Sequence, residues 1–178
     1  MVSMIEGIIM SSNFNLNTKN NNEWLTPPEL ITSLGNFDLD PCSPIIRPWD
    51  TASKHYTVED NGLMLPWVGR VWLNPPYGRV TFDWLNRLAE HKSGIALIFA
   101  RTETKGFHGE IWNRAKSIFF FKGRLSFYYV TGEKGQPANA PSCLISYSAF
   151  DSWAITMAQK QKSIQGKHVF LNAGRRMP

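Results

Sequence analysis

Asn74-Pro75-Pro76-Tyr77 is the stretch whose residue types could do chemistry. Asn offers one strong carbonyl acceptor and two amide donors on a short side chain, and a proline carbonyl is an acceptor with no N–H of its own beside it. Two such acceptors side by side can hold one amino group by both of its protons. Tyr adds a flat apolar face with a polar tip, suited to stacking on a heteroaromatic ring. Stacking of that kind is worth roughly 1–3 kcal/mol per base. Together the four residues read as a clamp for an exocyclic amino group on a planar base. The same four also make a good turn, with Tyr77 capping a core, so the reading depends on what surrounds them.

The neighbouring elements must put that clamp in place. Val71-Trp72-Leu73 predicts a short buried strand, which the two prolines end because they lack the amide donor a ladder needs. Asn74 and Tyr77 then stand at the strand's carboxyl edge, where open α/β sheets bind their ligands. Gly78 lets the chain turn into residues 80–91, where Phe82, Leu85, Leu88 and Ala89 recur at helical spacing. Residues 94–100 are near-continuously apolar, which predicts a strand covered on both faces and hence a parallel α/β core.

Upstream, residues 29–34 predict a short helix with Thr26 or Pro27 near its start and Gly35 as its stop. Residues 37–40 predict a strand ending at Asp40-Pro41-Cys42, residues 45–58 an irregular segment or short helix, and residues 59–63 a turn. Downstream, residues 107–115 predict a second helix and 118–121 a strand. A hairpin or kink is expected around Gly123, and residues 131–140 read as a loop carrying Lys134. Residues 141–147 read as the last strand and 150–161 as a terminal helix. The segment 101–104 has two readings: Arg101 and Thr102 reaching outward from a strand end, or a helix N-terminus capped by Thr102 or Thr104.

Length and composition set bounds on these readings. A chain of 178 residues holds one domain with a proper core, and 43% hydrophobic with 19% charged residues excludes a disordered chain. The net charge of +5 is compatible with phosphate binding but does not by itself specify nucleic acid. Cys42 and Cys143 lack the spacing of a disulfide framework or a zinc site, so no metal is expected. No apolar run approaches the ~20 residues of a membrane span, and the first ten residues carry no basic region ahead of their apolar patch, so a cytoplasmic location without membrane contact is expected. The expected organisation is a flexible arm at 1–22, one domain at 23–161 and a basic tail at 162–178.

With these residues in this order, from Trp24 to about Tyr147, the chain resembles the phage-type DNA N6-adenine methyltransferases, S-adenosylmethionine-dependent amino-methyltransferases with an Asn-Pro-Pro-Tyr motif. The resemblance implies a single-domain α/β fold of the Rossmann-like class I methyltransferase type, its sheet mostly parallel with an antiparallel terminal strand. It implies transfer of a methyl group from S-adenosylmethionine to the exocyclic N6 of an adenine flipped out of double-stranded DNA. By the same resemblance Asn74, Pro75, Pro76 and Tyr77 are catalytic. Trp24, Thr26 and Pro27 of the Trp-x-Thr-Pro opening, together with Asp40, Pro41, Cys42, Asp60 and Asn74, meet the cofactor. Tyr77, Arg79, Arg101, Thr102, Lys122 and Arg124 meet the DNA.

A carboxylate fixed at Asp40 would find a sulfonium, an ammonium and a ribose diol to bind. The chain departs from the general methyltransferase pattern at Cys42-Ser43-Pro44, which replaces a glycine-rich turn, and at Asn61, which separates Asp60 from Gly62. The same clamp would also serve another amino group, on a protein glutamine or an RNA base. A catalytically silent DNA-binding relative would keep the motif without turnover.

Overall fold

The computed structural model describes residues 23–171. The expected arm at 1–22 lies outside them. In chain order the elements are α1 (Pro28–Leu34), β1 (Leu39–Asp40), β2 (Lys54–His55), β3 (Val71–Leu73), α2 (Thr81–His91) and β4 (Gly94–Phe99). They continue with α3 (Lys105–Phe107), which runs on as a π-helical turn over His108–Trp112, then β5 (Ser117–Phe121), β6 (Ser126–Tyr128) and β7 (Lys134–Pro137). The last three are β8 (Ser142–Ser146), α4 (Ala149–Lys160) and β9 (Gly166–Phe170).

Seven strands form one sheet in the order β2-β1-β3-β4-β8-β5-β9. β2, β1, β3 and β4 pair in parallel, whereas β8 is antiparallel to both β4 and β5, and β9 is antiparallel to β5. The antiparallel β8 therefore sits inside the sheet rather than at its terminus, and β9 supplies a second antiparallel strand at the edge. Within the expected basic tail at 162–178, whose residues 172–178 lie outside the described ones, residues 166–170 form a strand that pairs along the whole of β5. Its half-buried, mixed-polarity pattern is that of an edge strand, which sequence periodicity does not separate from a polar tail.

Strand alternation divides the core in two. Val71, Leu73, Ala96, Ile98, Ile118, Cys143 and Ile145 face one layer with Trp84, Leu85 and Leu88 of α2 and Phe107 and Ile111 of α3 and its π turn. Trp72, Ile95, Leu97, Phe119 and Leu144 face the other with Leu30, Ile31 and Leu34 of α1 and Ile155 and Ala158 of α4. The sheet is thus covered on both sides, and the continuous apolar run of β4 follows from that.

Two local expectations are corrected. β5 does not turn back as a hairpin at Gly123, because both of its edges are already taken by β8 and β9. The chain instead leaves the sheet, and β6 pairs with β7 as a separate ribbon, so part of the expected 131–140 loop is strand. The ribbon is tied to the N-terminal segment by reciprocal backbone hydrogen bonds between Leu25 and Tyr128, at 2.8 and 2.9 Å.

Arg70 and Asp151 lock the opposite end of the sheet. The buried Asp151 carboxylate accepts from Arg70 Nε at 2.7 Å, from the Gly94 N–H at 2.7 Å and from Ser148 Oγ at 2.5 Å. Arg70 also donates to the Leu34 and Asn36 carbonyls, so one ion pair joins the end of α1 and the start of α4 to the starts of β3 and β4.

Candidate active site

β3 leaves the sheet at Asn74, and the strand order fixes what lies on either side. On the β1 side, Cys42 Sγ donates to the Asn74 carbonyl at 3.3 Å. On the β4 side, Tyr77 stacks on Phe99 with ring centroids 4.1 Å apart and planes 8° from parallel. Gly78, at φ +127°, makes the turn that returns the chain to α2, and Thr81 Oγ1 secures it by donating to the Pro76 carbonyl at 2.8 Å.

A cleft of about 360 Å³ opens at this edge, walled by the 23–26 segment, the 40–44 turn and the start of the Asn-Pro-Pro-Tyr turn. Thr51, Thr57, Val58, Asn61 and Gly62 from the irregular segment complete the wall. Gly62 is required there by close approach, since a Cβ would lie 1.9 Å from the Pro41 carbonyl oxygen.

Asn74 is oriented by its amide, which donates from Nδ2 to the Trp24 carbonyl at 3.2 Å. A carbonyl can only accept, so this bond fixes which end of the amide is which. Asn74 Oδ1 is then left buried without a partner. Trp72 Nε1 and Thr26 Oγ1 are in the same condition, and all three residues line the cleft. An unsatisfied buried polar atom costs roughly 1–3 kcal/mol. All three belong to residues that line one cleft, and this set of donors and an acceptor fits a cofactor with both acceptor and donor groups.

Asp40 is buried, and both carboxylate oxygens are engaged: Oδ2 accepts from Thr51 Oγ1 at 2.5 Å and Oδ1 from the Cys42 N–H at 3.1 Å. Burial pushes its carboxyl up to about 6, against the pull of those two hydrogen bonds and of Arg47. Burial likewise pushes the Tyr77 hydroxyl and the Cys42 thiol up, so neither is a ready anion.

Of the residues singled out in the sequence, Trp24, Thr26, Asp40, Pro41, Cys42, Asn74, Pro75, Pro76 and Tyr77 come together on this cleft. Pro27 stands behind it as the residue preceding α1. Asp60 is not brought in: it is exposed and its carboxylate accepts from the Thr57 N–H at 2.8 Å and Thr57 Oγ1 at 3.0 Å. Asn61, with φ +53°, and Gly62 line the wall instead. Arg79, Arg101, Lys122 and Arg124 are exposed outside the cleft, on loops at the same carboxyl edge, and none makes an ion pair among the described residues. The 101–104 segment takes its capping form, with Thr104 Oγ1 accepting from the Phe107 N–H at 3.3 Å, while the Thr102 carbonyl accepts from Trp112.

Sequence reasoning missed Trp72, Thr51 and Val58. Trp72 reads as plain core in an apolar run, and the other two lie in a segment without periodicity. Among the described residues no group of three His, Cys, Asp or Glu could hold a metal ion, and no helix is long and apolar enough to cross a membrane.

Sheet, edge cleft and oriented Asn-Pro-Pro-Tyr turn define a mixed α/β protein with a cleft at the carboxyl ends of its parallel strands. A family model described as DNA N-6-adenine-methyltransferase (Dam) matches residues 13–177, and the chain belongs to that family, whose activity is methylation of adenine N6 in DNA. No curated protein and no solved structure matches the chain.

Proposed function

We propose that this protein transfers a methyl group from S-adenosylmethionine to the exocyclic N6 of an adenine flipped out of double-stranded DNA, on a Rossmann-like class I methyltransferase fold. The observation that carries the reading is the buried, unpartnered Asn74 Oδ1, oriented by the bond from Nδ2 to the Trp24 carbonyl. A fixed acceptor with nothing to accept is what an amino group on a base would fill.

Adenine N6 is a poor nucleophile because its lone pair is delocalised into the ring. Asn74 Oδ1 and the Pro75 carbonyl accept its two hydrogens, which favours a pyramidal nitrogen with an available lone pair. Tyr77, backed by Phe99, stacks on the base and recovers part of the few kcal/mol that unpairing costs. Thr26, the Trp24 segment and the turn from Asp40 to Cys42 hold the cofactor, with Asp40 shaping the turn through Thr51 and Cys42. When bound, S-adenosylmethionine supplies a methyl group activated by the positive charge of its sulfur. Positioning of two reactants can lower a barrier by about 7–11 kcal/mol, so a clamp of neutral acceptors suffices for an active site. Arg79, Arg101, Lys122 and Arg124 meet the DNA backbone around the cleft, and Thr102 supports the Arg101 loop.

The test is incubation of the purified protein with unmethylated double-stranded DNA and methyl-labelled S-adenosylmethionine, followed by nucleoside digestion and mass analysis. Labelled N6-methyladenine, absent with Asn74→Ala, is the expected result. Cofactor binding without any labelled adenine would overturn the reading.

A further inference from the structure

We propose that Ile45 and Ile46, at the tip of the turn after β1, enter the DNA base stack where the target adenine leaves it and act as a wedge that keeps the base out. The inference rests on the proposed methylation of a flipped adenine and adds which side chains of this chain take the vacated place.

Ile45 is 48% and Ile46 59% exposed. A single exposed apolar side chain is ordinary. Here two branched ones are adjacent, and the turn that carries them is braced on both flanks. Ahead of the tip, the buried Ser43 donates its N–H to the Tyr56 carbonyl at 2.9 Å. Across its base, Arg47 donates to the Pro44 carbonyl at 3.2 Å and to the Asp50 carboxylate at 3.1 Å. Behind it, Trp49 Nε1 donates to the Thr26 carbonyl at 3.3 Å. Pro44 and Pro48 bound the tip and restrict its backbone further. The two isoleucines are thus held out in solvent by bonds that folding back into the core would break.

The place of the tip decides what it meets. Pro44 and Arg47 line the cleft, so Ile45 and Ile46 stand at its rim, on the edge that also carries the exposed Arg79, Arg101, Lys122 and Arg124. Those cations suit a polyanion, and the apolar surface that DNA offers between its phosphates is the faces of its bases. Such faces open where a base step is unstacked, and isoleucine is among the side chains that wedge into one. Flipping the adenine opens that gap, and an apolar side chain filling it offsets part of the stacking lost. The exposed valines of this edge are placed for other work, since Val58 lines the cleft and Val80 caps the start of α2.

The experiment uses the full chain and a duplex sequence that the wild type methylates, prepared in two forms. In one the target adenine is paired with thymine; in the other it faces an abasic site and is already unpaired. Single-turnover transfer of labelled methyl is read for the wild type and for Ile45→Ser combined with Ile46→Ser, and calorimetry with S-adenosylmethionine confirms that the variant keeps its cleft. On the paired duplex the variant is expected to lose about tenfold to a hundredfold, the worth of burying one such side chain. On the abasic duplex it is expected to run close to the wild type, because the cost the wedge offsets has been removed. Equal losses on both duplexes, a loss on neither, or a wild type that gains nothing from the abasic site would overturn the wedge while leaving methylation standing. A loss that accompanies a change from dimer to monomer in light scattering would make the tip a contact between copies and overturn it too. A wild-type chain that labels no adenine in any duplex would overturn both readings.

Discussion

Asn74 Nδ2 donates to the Trp24 carbonyl at 3.2 Å, and this one bond leaves Oδ1 as the buried, unpartnered end of the amide. Asn74→Ala is therefore expected to lower methyl transfer by roughly 10²–10³-fold, the effect of removing one preorganised electrostatic contact, while cofactor binding persists. Asn74→Asp is also expected to fail, because a carboxylate cannot donate to the Trp24 carbonyl and the two oxygens repel. Labelled-methyl transfer and calorimetry on both variants check this; an active Asn74→Asp enzyme would remove the orienting role.

Tyr77 rests on Phe99 with nearly parallel rings, so only one face is left for a base. Tyr77→Ala is expected to weaken binding of DNA with a mismatched target adenine by roughly 1–3 kcal/mol and to leave cofactor affinity unchanged. Phe99→Ala should act in the same direction by removing the backing ring. Fluorescence anisotropy with mismatched DNA measures both, and undiminished affinity in Tyr77→Ala would take Tyr77 out of the clamp.

The buried Asp40 titrates near 6 in the folded chain, against 3.8 as its ordinary value. The folded state thus holds the proton more tightly than the unfolded one. The associated stability is fully present below pH 3.8 and is lost as pH rises through about 6, by roughly 3 kcal/mol in all. Asp40→Asn cannot ionise, so its stability relative to the wild type should climb between pH 4 and pH 6 and level off above. Urea unfolding of both proteins across that range tests the sign; parallel pH profiles would contradict it.

Arg70 and Asp151 form a buried ion pair at 2.7 Å. Asp151→Ala leaves Arg70 uncompensated and the Gly94 N–H without an acceptor, and is expected to cost roughly 3–5 kcal/mol. Because the pair lies at the end of the sheet away from the cleft, the folded fraction should still bind cofactor. Denaturant titration and calorimetry separate the two effects.

The exposed cations at the carboxyl edge make a further prediction. Arg79→Ala, Arg101→Ala, Lys122→Ala and Arg124→Ala should each weaken DNA binding about equally across sequences, and each phosphate left without its cation should lower the salt slope by about 1. A variant with unchanged slope places its side chain off the DNA.

The Asn-Pro-Pro-Tyr turn at the end of β3 was legible in the chain because it is local: four consecutive residues contain the acceptors, the ring and the strand terminator. The strands at 71–73 and 94–99 and the helix at 81–91 were legible for the same reason, since apolar periodicity is a property of neighbours. β9 and the β6–β7 ribbon were not, because an edge or ribbon strand that is half exposed carries no such signature and is defined by the partner it finds. Asp60 stands outside the cleft with its carboxylate bound back to Thr57, a contact that spacing alone does not reveal.

The sequence by itself determined the kind of chemistry, since donor, acceptor and stacking groups are fixed by residue type, and it determined that the sheet has a buried, two-faced centre. Only the tertiary structure decided which of those groups are free. Asn74 Oδ1 and Trp72 Nε1 are buried without a partner, while the Trp24 carbonyl, 50 residues away along the chain, takes Asn74 Nδ2. Hydrogen-bond satisfaction is a property of packed neighbours, and those neighbours are adjacent in space, not in sequence.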